Sequence, residues 1–209
     1  MKQLDDAVRD AVSRLPGVES VSLARDLPLG GNDVYAQVPE SDKKISVGQR
    51  VVDGSYFRTL GVLILAGRIF NSTDREGSPQ VVVINSKLAE IFWPGQDPLG
   101  KILVAGEPPR QVIVAGVVAN GKFRDIDEAT YPVLFPLSQN YQPRINVVAR
   151  TNGDPRHWVE PIHQTMRALG LYGGIRPVTF NQWINFNFFT GPNPSIEVTC
   201  LINRYPVNR

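Results

Sequence analysis

Long apolar runs, cysteine and an excess of charge of either sign are all scarce in this chain, and each scarcity closes a route. A helix that crosses a bilayer needs about 20 mostly apolar residues. The run VLILA, Val62 to Ala66, stops at Gly67 and Arg68, and QVVVINS and QVIVAGVVA are strand-sized and bounded by polar or turn residues. The chain is therefore expected to be a soluble domain. No secretory signal is expected, because MKQLDDAVRDAV carries acids where a signal would carry its apolar stretch. The single cysteine, Cys200, makes neither an internal disulfide nor a cysteine-based zinc site. Lys plus Arg number 22 against 20 Asp plus Glu, a balance of +2, and no basic run exceeds the Lys43-Lys44 pair. Nucleic acid is thus not an expected partner.

What is present is an ordinary globular mixture, 42% hydrophobic and 20% charged over 209 residues, enough for one sizeable core or a core divided into two lobes. KQLDDAVRDAVSRLPG predicts an amphipathic helix. Leu4, Val8, Ala11, Val12 and Leu15 form its apolar stripe, Asp5, Asp6, Arg9, Asp10 and Arg14 take the other side, and Pro16-Gly17 ends it. VESVSLA alternates as a strand, RDLPLGGNDVYAQVPESDKK is turn-rich and reads as a loop, and ISVGQRVV reads as a strand. DGSYFRTL predicts a short helix with Asp53 as N-cap and Phe57 and Leu60 facing inward. VLILA is then a short buried strand ended by Gly67, NSTDREGSPQ a polar loop and VVVIN a buried strand. SKLAEIFW predicts a helix capped by Ser86, with Leu88, Ile91 and Phe92 inside. After the PGQDPLG loop, KILVAG, RQVIVAGVVA, YPVLFPL and INVVART read as strands, the first two joined by a hairpin-like GEPPR.

GDPRHWVEPIHQTMRALG predicts a second long helix. Asp154 caps it, Pro155 sits in its first position, and Trp158, Ile162, Met166 and Leu169 make the stripe. Pro161 removes one backbone bond and is expected to kink it. GGIRPVTF is a last strand, and NFNFFTGPNPSIEVTCLINRYPVNR has no clear period and no assigned element. Strands do not alternate regularly with long helices, so the fold class is α+β and not a doubly wound sheet.

Each chemical motif has a plainer reading that outweighs it. Gly116 to Phe123, GVVANGKF, has the spacing of a phosphate-binding loop, but Phe123 stands where a magnesium-holding hydroxyl belongs and no striped helix follows. His157, Glu160 and His163 form His-x-x-Glu-x-x-His; six residues apart, the histidines stand about 120° apart around a helix, not on one face as zinc binding needs. No Gly-x-Ser-x-Gly turn occurs. Cys200 reads as a passive thiol, the carboxylates of Arg124 to Glu128 as a solvated loop, and the Asn71-Ser72-Thr73 glycosylation pattern as coincidence. No catalytic residue, cofactor-binding residue or metal ligand is assigned, and no enzyme activity is expected.

One ordered series of short motifs remains. It comprises Gly54, Tyr56-Phe57, Leu60-Gly61, Gly67-Arg68, Phe70, Asp74, Val82-Val83-Ile84-Asn85, Phe92-Trp93-Pro94 and Asp97-Pro98-Leu99-Gly100-Lys101. It is preceded by PGVESVSLARDLPLGG and followed by VIVAGVVANGKF and RTNGDP. In this order the motifs resemble the extracytoplasmic core domain of MacB/FtsX-type ABC transporter permeases, over roughly residues 1–182, and are most similar to the many-copied permeases of acidobacteria. The resemblance makes the stretch from Tyr56 to Phe70 a structural signature: Gly67 for a sharp turn, Phe70 returning to the core, Arg68 pointing outward or pairing locally.

The resemblance implies two lobes, a porter-like one from both chain ends and an inserted β-rich one over about residues 49–142, with 183–209 as a tail outside the match. It implies a place on the extracytoplasmic (periplasmic) side of the cytoplasmic membrane, between the permease's transmembrane helices. Implied partners are that transmembrane region, a second permease subunit, a cytoplasmic ATPase domain and a periplasmic adaptor. The function it implies is non-catalytic, coupling cytoplasmic ATP hydrolysis to export or mechanical signalling. Two rivals are a free-standing ligand- or peptide-binding module, which needs a deep apolar pocket with a few polar groups, and a small enzyme, which needs a cleft with converging titratable residues.

Overall fold

The computed structural model describes residues 2–27, 32–120, 131–140, 145–171, 175–183 and 197–202. In chain order the elements are α1 (Lys2–Ser13), β1 (Val18–Ala24), β2 (Asn32–Ala36), β3 (Ile45–Val52), α2 (Tyr56–Leu60), β4 (Ile64–Gly67), β5 (Val81–Asn85), α3 (Ser86–Phe92), β6 (Ile102–Ala105), β7 (Arg110–Val118), β8 (Pro132–Pro136), a 3-10 turn (Leu137–Gln139), β9 (Asn146–Thr151), α4 (Arg156–Ala168), β10 (Ile175–Thr179) and β11 (Glu197–Ile202). All strands join one mixed sheet in the order β10-β11-β9-β1-β3-β8-β5-β7-β4, with β2 added to β3 and β6 to β7. The α+β class holds.

Two-residue alternation sorts the strand side chains onto two faces. Val21, Leu23, Val47, Val51, Val82, Ile84, Val133 and Phe135 pack with Val8, Val12, Leu88, Ile162 and Met166, so α1, α3 and α4 share one face. Their sequence neighbours Ala24, Val52, Val81, Val83 and Leu134 pack with Tyr56, Phe57 and Phe70 on the other, under α2. Strands buried on both faces read as near-continuous apolar runs, which is why VVVIN and VLF carry no polar alternation. Leu4, expected in the apolar stripe of α1, is exposed instead.

Four local expectations change. The segment read as a loop after Leu27 contains β2, whose Val34 and Ala36 are buried against β3, and Gln37 continues with a bridge to Val104. VLILA is not buried: Leu63 is 65% and Leu65 52% exposed. The reason is its place in the sheet, because among the described residues β4 pairs only with β7 and is the last strand on that side. The cap of α3 is Asn85, one residue before Ser86, with its Oδ1 accepting from the Leu88 N–H at 3.1 Å. Pro155 sits at the N-cap of α4, and that helix runs on through Pro161. Within the unassigned C-terminal stretch, β11 lies between β9 and β10, parallel to both.

The sheet is unevenly sewn. Six residues of β1 pair with β9, and five of β3 pair with β8, but β1 and β3 share the single pair Ala24↔Val52. On one side of this seam lie elements from both chain ends, β1, β9, β10 and β11; on the other lie β2 to β8 from the chain middle.

Candidate functional site

The seam is built by two aspartates. Each follows the strand it serves: Asp26 lies just past β1 and Asp53 just past β3. Around Ala24↔Val52 the backbones exchange one bond on each side, Arg25 N–H to the Val51 carbonyl at 2.8 Å and Asp53 N–H to the Leu23 carbonyl at 2.9 Å. In a regular antiparallel ladder each would have a returning backbone bond. Here carboxylates take both returns. Asp26 Oδ2 accepts from Val51 N–H at 3.0 Å, and Asp53 Oδ2 accepts from Leu23 N–H at 3.0 Å. The displaced Arg25 carbonyl accepts from Asn146 Nδ2 at 2.7 Å.

The N-cap position of α2, expected at Asp53, is Ser55, whose side chain makes no capping bond; Asp53 serves the helix from two residues earlier. Its Oδ1 accepts from Tyr56 N–H at 3.0 Å and so caps the first turn of α2. Burial raises its pKa above the ordinary aspartate value, opposed by the Leu23 N–H, the charge of Arg9, the Ser22 hydroxyl and the Tyr56 N–H. Arg9 reaches it from α1, with Nη1 3.8 Å from Asp53 Oδ2, while Arg9 Nη2 holds Asp6 at 2.6 Å.

Beside the seam opens a cleft of about 570 Å³. Its floor is apolar, from Leu23, Val52, Phe70 and Leu137; α1 forms one wall with Asp5 and Arg9, and the loop after Phe70 forms the other with Arg75 and Glu76. That second wall is held by short-range bonds. Arg68 Nη1 and Nη2 each donate to Asp74 at 2.7 Å, and Asn71 N–H adds a third bond to the same carboxylate at 2.9 Å. Asn71 Oδ1 accepts from Thr73 N–H at 2.8 Å, Ser138 donates to the Asp74 carbonyl, and Gln139 Nε2 donates to Ser78 Oγ and the Pro79 carbonyl at 2.8 and 2.9 Å. Arg68 therefore pairs locally, and its bonds to Asp74 hold that carboxyl below the ordinary value.

Gly67 makes this turn with φ +69°, and a Cβ there would strike the Ala115 carbonyl. Phe70 returns to the core, 5% exposed, against Phe57.

Of the motifs set aside in the sequence, the Asn71-Ser72-Thr73 pattern falls on the cleft wall, where Asn71 and Ser72 line it, and the histidines of α4 are not among the lining residues. His163 Nδ1 lies 3.8 Å from Glu160 on α4, and no group of metal-binding side chains is found among the described residues. Val118 ends β7, and Asn120 accepts from Lys87 N–H; Lys122, Phe123 and Arg124 to Glu128 lie outside the described residues. Cys200 falls in β11 opposite Val148. No helix among the described residues is long and apolar enough to cross a membrane. Sequence reasoning found one member of the seam, Asp53, through its capping bond; the neighbouring Arg25 holds Asp26 Oδ2 at 2.8 Å, but the Val51 N–H that brings Asp26 into the seam lies 25 residues away.

Comparison with known proteins agrees with the geometry. The profile of the MacB-like periplasmic core domain matches residues 1–164. The probable syringafactin export ATP-binding/permease protein SyfD of Pseudomonas syringae pv. tomato is 35% identical over 72 residues, 34% of this chain and 10% of that protein. The macrolide export ATP-binding/permease protein MacB of Shigella dysenteriae serotype 1 is 28% identical over 112 residues, 52% of this chain and 16% of that protein. The matched stretch thus spans about a tenth to a sixth of these relatives. The fold is shared with the periplasmic region of MacB from Actinobacillus actinomycetemcomitans, with TM-score 0.55, 18% identity, and 79% of this chain and 74% of that one covered. It is also shared with the extracellular domain of the noncanonic ABC-type transporter YknZ from Gram-positive bacteria, with TM-score 0.53, 18% identity, and coverage of 78% and 80%.

Proposed function

The chain belongs to the MacB-like periplasmic core domain family of ABC transporter permeases, and from that premise we propose that it works outside the cytoplasmic membrane as a non-catalytic coupling domain. In this reading it is joined to a permease's transmembrane region and paired with a second permease subunit. ATP hydrolysis by a cytoplasmic ATPase domain then changes its shape, for export or for mechanical signalling, with a periplasmic adaptor as an outer contact. The observation that carries the reading is the family match over residues 1–164. The narrow β1–β3 seam supports it, because a shape change needs a place to bend.

We also propose the two-lobe division on the strand pairing. One lobe uses both chain ends. The inserted lobe begins at β2, near residue 32 instead of the 49 expected from sequence, because β2 adds to β3.

A second reading has one observation in its favour, the cleft with an apolar floor and charged walls. It makes the chain a ligand- or peptide-binding module that acts without a permease. Sequencing the transcript upstream of Met1 and past Arg209 separates the two. The coupling reading expects coding sequence for apolar segments of about 20 residues on both flanks. Flanks without such segments would overturn it and put the binding module first.

A further inference from the structure

We propose that Asp26 and Asp53 form a reciprocal carboxylate latch, and that the seam they close is the hinge on which the two halves of the sheet turn. The proposal rests on the coupling reading for its biological use, but its geometry belongs to this chain alone.

A carboxylate can do what a backbone carbonyl cannot. A backbone carbonyl acceptor is fixed in its peptide plane, so a ladder bond is lost when the strands rotate apart. A side-chain carboxylate turns about two torsions and can follow the N–H it serves. Both returning bonds at the seam are of this second kind, and each strand receives one from a carboxylate that follows the other. Asp26, the second residue past β1, serves β3, and Asp53, the first past β3, serves β1. Elsewhere in the sheet, neighbouring strands share at least two register pairs, so the one-pair seam is the place where least ladder must break.

The element that crosses the seam is suited to small displacement. α2 follows β3 but packs against β1 and β9. Toward it β1 turns Ser20, Ser22 and Ala24, small side chains that do not interlock as leucines or phenylalanines would. Arg150 ties α2 to the chain-end half, with Nε donating to the Thr59 carbonyl at 2.8 Å. Asp53 caps that helix with one oxygen and bonds β1 with the other, so the latch and the crossing helix move as one. The cleft lies along the same line, lined by Asp53, Val52 and Leu23 together with the wall loop of the opposite half. Its width therefore reports the hinge angle.

The test uses the 209-residue chain with Cys200→Ser and spin labels at Gln164 on α4 and Glu90 on α3, both exposed. Interlabel distances and amide exchange are measured for the wild type, D26N, D53N and the double variant, with D74N as a control away from the seam. Asparagine keeps the shape and one acceptor, so the fold is retained while each latch is weakened; far-UV circular dichroism verifies this. Asp53 uses both oxygens, so D53N must forfeit one bond. The latch predicts that exchange at the Leu23 or the Tyr56 amide in D53N and at the Val51 amide in D26N quickens by about tenfold or more. It also predicts that the distance distribution broadens in the double variant and stays unchanged in D74N. Unchanged exchange at the Val51 amide in D26N and at both the Leu23 and Tyr56 amides in D53N, or exchange that rises across the whole sheet with no change in distance, would overturn it. Neither result bears on flanking membrane segments, so the latch and the coupling reading fail separately.

Discussion

The arginine that interrupts the apolar stretch after VLILA is explained by one carboxylate six residues later. Asp74 is 3% exposed and accepts both Arg68 nitrogens and a backbone N–H, so its charge is fully engaged. Removing that charge leaves donors facing a poorer acceptor. D74N is expected to cost about 1–3 kcal/mol at pH 7, the lower part of the range applying if Arg68, which is 45% exposed, turns to solvent. The pH dependence follows from the depressed pKa. The stability that Asp74 contributes is present above the unfolded-state carboxylate value, about 4, and is lost as pH falls through the lower folded-state value. The difference between wild type and D74N in urea midpoints should therefore shrink from pH 7 toward pH 2. Asp53 acts with the opposite sign. Its pKa is raised, so folding favours its protonated form, and that contribution is lost as pH rises through the folded value. A difference that stayed constant down to pH 2 would show that the Arg68–Asp74 pair is not charged in the way described.

At the scale of elements, what was legible in the sequence was whatever depends on near neighbours. α1 and α4 stand out because a stripe and a Pro-Gly or Asp-Pro boundary lie within one short window. β2 was hidden because Val34, Ala36 and Val38 alternate inside a stretch of turn-forming residues, and only pairing with β3 makes a strand of them. β4 was misplaced for a related reason: an apolar run looks the same at the centre of a sheet and at its rim, and the order of strands is decided by contacts far along the chain. The seam divides in the same way. Asp53 is visible as a helix cap, whereas its bond to Leu23 and the bond of Asp26 to Val51 span 30 and 25 residues. The rim position of β4 has its own consequence. Residues 61–67 carry no charge and no proline, the devices by which exposed edges are normally shielded. L63K and L65K are expected to shift the unfolding midpoint by no more than about 0.5 kcal/mol while lowering concentration-dependent light scattering. A large loss of stability would mean that these side chains are buried after all.

At the scale of the whole molecule, a narrow seam and a shared core pull in opposite directions. The ladder between the halves is one residue pair long. Yet Val8, Val12, Val21, Ile162 and Met166 from the chain-end half belong to the same buried apolar cluster as Val47, Val82, Leu103 and Phe135 from the middle half. Protein interiors are packed as tightly as organic crystals, so such a cluster resists free swinging and allows a bend of limited reach. It also links the stabilities of the two halves, because unfolding either exposes the apolar surface of the other. The tryptophans report on this directly, since Trp93 is buried in the middle half and Trp158 packs on the same cluster from α4. With Trp183 replaced by Phe in both, a variant retaining only Trp93 and one retaining only Trp158 should show coincident urea transitions, equal in midpoint and slope. Separate transitions would mean that the cluster divides at the seam, and the inserted half from β2 to β8 would then be expected to fold when expressed alone. Coincident transitions together with a latch that opens would place the bending within one cooperative unit, where a local change at two carboxylates alters the shape of the domain without unfolding either half.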